Sequence, residues 1–143
     1  MKLIKIEQSC AEITFPHVSH LLEKAIAHSD GEYKIEDIFS SLLDGRLTLW
    51  VGCSEEHKRI VFAGVTSIIN YPQYSALVVT HVGGEDNKFI KYVNDIWHED
   101  SELMRYAKLH NLKRIEILGR NGWLRVLNKV GFRKSYTALT KDI

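Results

Sequence analysis

The C-terminal 32 residues constrain the fold most tightly. The pattern predicts a strand over 112–119 (LKRIEILG), a short helix over 121–130 (NGWLRVLNKV) and another strand over 131–141 (GFRKSYTALTK). Gly131 stands just past the last apolar helical position, where a glycine takes positive φ and turns the chain back. Phe132 then opens a run of aromatic and β-branched residues suited to a pleated surface. Strand, helix and strand in so few residues cannot enclose a core of their own, so they complete a sheet begun earlier in the chain.

Upstream, the periodicities alternate in the same way. Residues 2–7 alternate around Leu3 and Ile4 and predict a first strand. Thr14 is placed to cap a helix with Pro16 in its first turn, where the missing N–H costs nothing. Val18, Leu21, Leu22, Ala25 and Ile26 then form one apolar stripe to about Ser29. A second helix is expected over 35–43, ending at Asp44-Gly45. Three β-branched runs follow at 47–53, 60–69 and 76–82, with links short enough for antiparallel neighbours. Residues 89–110 have helical spacing, broken at His98-Glu99-Asp100-Ser101, with Asp100 or Ser101 as a new cap. The helical crossover should bring 112–119 parallel to 76–82, the two strands diverging toward Gly83.

At 143 residues with 45% hydrophobic content, one domain spanning 1–143 is expected, with a real core. No apolar window is long enough for a membrane span, and the first ten residues lack a signal-peptide core, so no membrane partner is expected. Cys10 and Cys53 form no CxxC and suit a reducing, cytoplasmic compartment. The formal charge of +1 conceals an asymmetry: residues 113–143 carry an excess of +6 and residues 1–112 one of −5. The basic end suits an anionic cofactor or a solvated face; nucleic acid is not expected as a partner.

For chemistry, the junction His81-Val82-Gly83-Gly84-Glu85-Asp86-Asn87-Lys88 stands out. A strand end leads through two glycines into a helix start, whose N–H groups can receive phosphate oxygens. Glu85 and Asp86 are equally ordinary first-turn residues, so a plain turn and an anion site both stay open. Phosphate-loop, dinucleotide and zinc-protease motifs are lacking, and His17 with His20 has no third ligand, so no metal is expected. Trp123 either packs the short helix on the sheet or walls a groove.

The element order, together with residues 119–132 (GRNGWLRVLNKVGF), resembles the GNAT superfamily of N-acyltransferases, in particular the small GNAT-like proteins encoded by bacteriophages. The resemblance implies an α/β (α+β) fold: a mixed, mostly antiparallel sheet of six or seven strands, a splayed central parallel pair and about four helices. It implies acetyl-CoA as cofactor. Val79, Thr80 and Val82 would offer backbone groups to its pantetheine arm. Gly83, Gly84, Asn87 and Lys88 would lie at the pyrophosphate loop, and Arg120 at the opposite lip. The activity implied is acetyl transfer to a primary amine of an unknown acceptor, with Glu116 and His81 as the proton-handling candidates.

Two positions depart from the family pattern. HVGGEDNK lacks the usual glycine spacing of the pyrophosphate loop. Leu127 stands four residues before Gly131-Phe132, where many members place a tyrosine that reprotonates the departing thiolate. The alternative is a non-catalytic GNAT-shaped binding or structural protein, monomer or dimer, with a protein partner in a virion or a host cytoplasm.

Overall fold

The computed structural model describes residues 1–85 and 89–143. Within them, β1 (Lys2–Ile6), β2 (Thr48–Ser54), β3 (Arg59–Asn70), β4 (Ser75–Gly84) and β5 (Arg114–Ile117) form one sheet in that spatial order. The first four strands are mutually antiparallel. β4 and β5 are parallel, with Ala76 opposite Arg114 and Val79 opposite Ile117. The β3–β4 connection is tight because Pro72 fits the second position of a turn. The Tyr71 N–H closes that turn on the Tyr74 carbonyl at 2.9 Å.

Alternation along the strands fills two apolar layers. One face packs Leu3, Trp50, Phe62, Leu77 and Val79 against α4 (Phe89–Trp97), α5 (Glu102–Leu109) and α6 (Leu124–Leu127). Trp50 is buried there and donates its indole N–H to Thr66 Oγ1 at 2.9 Å, so its polar atom is satisfied in an apolar layer. The other face packs Leu49, Val51, Ala63 and Val65 beneath α1 (Ala11–Thr14), α2 (Ser19–Ile26) and α3 (Ile35–Leu43). The predicted break after α4 is present. Ser101 is the N-cap of α5, its Oγ accepting from the Met104 N–H at 3.2 Å.

A bulge interrupts the β3–β4 register. Thr66 lies opposite Val79 and Val65 opposite His81, so Thr80 is an extra residue on β4. Residues directly opposite share a face. Val79 therefore stays with the α4 layer, whereas His81 is turned to the α2 side.

The structure corrects three expectations. The sheet has five strands among the described residues, not six or seven. The strand expected over 131–141 is missing: Gly131 takes φ +94° as foreseen, but no regular structure follows Phe132. Strand propensity acts only through packing, and Tyr136, Leu139 and Ile143 are exposed, while Lys134 interrupts the apolar alternation. Helices are also more numerous than about four, with six α-helical segments beside short 3₁₀ turns among the described residues. One cause lies at Pro16. A helix, α1, already lies ahead of the expected start, a 3₁₀ turn at Phe15–His17 replaces the expected first turn and α2 supplies the rest, while Thr14 is helical with no side-chain cap bond.

Candidate functional site

β5 is four residues long and β4 is ten, so β4 outruns its parallel partner. The last contact between them is the Leu118 N–H to the Val79 carbonyl, at a long 3.4 Å. Beyond Val79, β4 remains bonded to β3 as far as Gly84, but its other edge has no strand partner among the described residues. Backbone donors and acceptors along that side of the opening between the strands have no strand to bond, and an amide-rich ligand lying there would satisfy them.

His81 lies beside this opening. It is only 7% exposed, and the ring of Tyr33 meets it edge-on at 5.1 Å. Burial lowers its pKa below the usual imidazole value, and the Glu32 carboxylate opposes this by a smaller amount. His81 is therefore neutral at pH 7. Thr80 donates its hydroxyl to the Val65 carbonyl at 3.4 Å and faces His81 Nδ1 at 3.1 Å. With its proton so committed, Thr80 Oγ1 accepts from Nδ1–H, which assigns the free lone pair to Nε2.

Glu116 occupies the same side of the sheet. Ile115 and Ile117 pack into the α4 layer, so Arg114 and Glu116 point the other way by strand alternation. The Tyr71 hydroxyl donates to Glu116 Oε2 at 2.9 Å, and this bond raises the Tyr71 pKa above its ordinary value. Arg114 lies over the Tyr74 ring at 4.9 Å, and Tyr71 and Tyr74 are 5.3 Å apart. These tyrosines, with Glu32, Tyr33 and Arg114, were not singled out in the sequence. The signal available was the Tyr-Pro-Gln-Tyr turn, which a parallel crossover places beside the start of β5.

Val79, Thr80, Val82, Gly83 and Gly84 all lie on β4 at or past the last β5 contact. Val79 is buried and Val82 half-buried against the α4 layer, leaving their backbone groups as what they can offer a ligand. Gly83 has a packing reason to be glycine. A Cβ there would stand 1.9 Å from the Leu21 carbonyl oxygen in α2. Glu85 is ion-paired to Arg59 of β3 at 2.8 Å, which draws its charge to the side of β4 away from β5. Asn87 and Lys88 lie outside the described residues. Arg120 is exposed just past β5, with its carbonyl accepting from the Trp123 N–H at 3.0 Å. Trp123 packs on the α4 layer and approaches Gly119 so closely that a Cβ there would meet its ring at 2.6 Å. Leu127 is 5% exposed and belongs to the core. Among the described residues no group of three metal-ligating side chains converges, and no helix is long and apolar enough to cross a membrane.

No protein-family profile matches the sequence, and no curated protein does. The backbone, in contrast, is similar to several solved acetyltransferases. A glucosamine-6-phosphate N-acetyltransferase from Arabidopsis thaliana superimposes with a TM-score of 0.66 at 17% identity, over 99% of this chain and 97% of that one. A predicted acetyltransferase with acetyl-CoA from Clostridium acetobutylicum gives 0.64 at 13%, over 99% and 95%. An aminoglycoside acetyltransferase from an uncultured soil metagenomic sample, in complex with sisomicin, gives 0.70 at 8%, again over 99% and 95%. At such identities the likeness is one of backbone architecture, and it extends over nearly the full length of each partner. With its mixed sheet and its parallel pair parting beyond Val79, the chain has the GNAT fold.

Proposed function

We propose that this chain, acting as one domain, binds acetyl-CoA in the β4–β5 opening and transfers the acetyl group to a primary amine. The observation that carries this reading is the unpartnered β4 edge from Thr80 to Gly84 beside a buried, neutral histidine. Acetyl-CoA supplies an activated thioester, and the β4 edge, with Arg120 at the far lip, is chemically suited to hold it. Glu116, fixed by Tyr71, attracts the acceptor's ammonium group to the opening. His81 Nε2 then takes the ammonium proton, which frees the nitrogen lone pair for attack. Backbone N–H groups of β4 stabilise the negative charge that develops on the carbonyl oxygen. The leaving group is a thiolate, only a modest base, so the proton held on His81 or one from solvent suffices to neutralise it.

The fold of the acetyl-CoA-bound Clostridium protein supports this choice of donor. The narrower likeness to phage-encoded members rests on residues 119–132 alone. One observation favours a second reading, a binding protein without transfer: Leu127 is built into the core where many GNAT enzymes have a tyrosine acid. Calorimetry with acetyl-CoA, followed by thiol release in the presence of amines, separates the two. The enzyme reading expects micromolar-to-millimolar affinity, and His81→Gln should slow transfer by about 10²–10⁴-fold while leaving affinity intact. Absence of binding at millimolar acetyl-CoA would refute it.

A further inference from the structure

Two opposite charges stand side by side on the exposed face of β5 and do not pair. Arg114 and Glu116 are alternate residues of one strand, so their side chains leave the sheet about 7 Å apart on the same face. At that spacing an ion pair is within easy reach of an arginine. Instead each is held by its own tyrosine from the β3–β4 turn. Tyr71 hydrogen-bonds Glu116 at 2.9 Å, and the Tyr74 ring carries the Arg114 guanidinium at 4.9 Å. Among the described residues no carboxylate lies within ion-pair distance of Arg114. Both residues are half-buried, and a bound zwitterion would give each charge the counter-charge that the protein does not supply.

We infer that this cradle recognises a zwitterionic acceptor, an α-amino acid with a free carboxylate, binding its carboxylate on Arg114 and its ammonium on Glu116. The inference rests on the proposed acyl transfer and names its acceptor class. The order of the two charges fits. Arg114 pairs with Ala76, deep in the parallel ladder, while Glu116 pairs with Val78, one position short of where the strands part. The ammonium is thus held nearer the opening than the carboxylate, on the side of the sheet that carries His81. An α-amino acid presents a carboxylate and an ammonium that Arg114 and Glu116 can each meet with a charge-assisted hydrogen bond of about 2.8 Å. The planar guanidinium, already oriented by Tyr74, suits bidentate binding of a carboxylate. The reaction balances: the amine nitrogen forms the amide bond and the thioester C–S bond breaks, and of the two protons the ammonium loses, one ends on the departing thiolate and the other in solvent.

The test compares α-amino acids with their amides and decarboxylated amines as acceptors, following thiol release from acetyl-CoA. The free acids should be preferred by about tenfold or more in kcat/KM, through KM. Arg114→Gln should raise the KM of the acids to that of the amides with kcat little changed. Arg114→Lys should recover part of the preference, which controls for misfolding. Equal use of acids and amides by the parent protein, or a preference surviving Arg114→Gln, would overturn the inference while leaving acyl transfer standing. If acetyl-CoA does not bind, acyl transfer falls. Equilibrium binding of acid against amide, read by tyrosine fluorescence, then decides the cradle alone: Arg114-dependent selectivity sustains it and its absence removes it.

Discussion

Gly83→Ala is the substitution whose outcome the geometry fixes most sharply. The added Cβ would lie 1.9 Å from the Leu21 carbonyl oxygen, 2.6 Å from its carbon and 3.4 Å from its Cα. Comfortable carbon contacts need about 3.5 Å, so α2 must retreat from β4 by more than about 1 Å. Because the obstructing atoms are backbone, no rotamer change relieves the clash. The retreat would lift Leu21 and Leu22, both wholly buried, from the sheet. Overpacking of this kind costs about 1–3 kcal/mol, and a rigid obstacle places it near the top of that range. The entropy the unfolded chain loses with its glycine returns about 0.4–1 kcal/mol. A net loss of about 2 kcal/mol follows, seen as a lower urea midpoint with an unchanged slope. Gly122→Ala is the control, since a Cβ there meets nothing within 4 Å. A Gly83→Ala protein within about 0.5 kcal/mol of the parent would mean that β4 does not press on α2. If stability held while acetyl-CoA affinity fell, the glycine would be serving a ligand rather than a helix.

Three further outcomes are expected. His81 resists protonation in the folded state but not in the unfolded chain. Its contribution is therefore complete above about pH 6.5 and is lost as pH falls toward the lower folded pKa, so His81→Gln should flatten stability across that window in denaturation profiles. Reversing both exposed arginines, Arg120→Glu with Arg125→Glu, should weaken acetyl-CoA binding at least about tenfold and reduce its salt dependence; unchanged calorimetry would assign the basic patch elsewhere. Ser101→Ala removes the α5 cap and should lower thermal stability by about 1 kcal/mol without altering acetyl-CoA affinity, a larger loss pointing to a role beyond the cap.

Elements governed by local chemistry were legible in the sequence. Ile35, Ile38 and Leu42 mark the buried side of α3, whose bounds match the expected ones, and the Ser101 cap is a short-range hydrogen bond. The antiparallel run and the parallel β4–β5 pair followed from link lengths and crossover handedness. What failed depended on distant partners. The C-terminal segment has strand-forming residues, but strand formation requires an edge to pair with and a face to bury. At the site, His81 was chosen for its position at a strand end and Glu116 for its place beside the expected divergence of the parallel pair. Their partners were not, because Tyr33 and Tyr71 reach them only through tertiary packing, Tyr71 across 45 positions. The bulge was equally hidden, since no residue type announces an extra Thr80.

That bulge acts as a frame shift written into the sheet. Upstream of Thr80, odd-numbered residues of β4 face the α4 layer, as Leu77 and Val79 do. Downstream, odd-numbered residues face α2: His81 meets Tyr33, and Gly83 meets Leu21. Were Thr80 instead taken into the ladder opposite Val65, with no residue lost, the unbroken alternation would return and exchange the sides of everything that follows. The imidazole would be driven among Phe62, Ile96 and Trp97, and Val82 would be pushed toward the Leu21 carbonyl. Loss of Thr80 itself would leave the frame intact, since His81 would still stand opposite Val65 and Gly83 opposite Ala63. Among homologous chains, the sides taken by the residues at His81 and Gly83 should be held more rigidly than the presence of the extra residue before them.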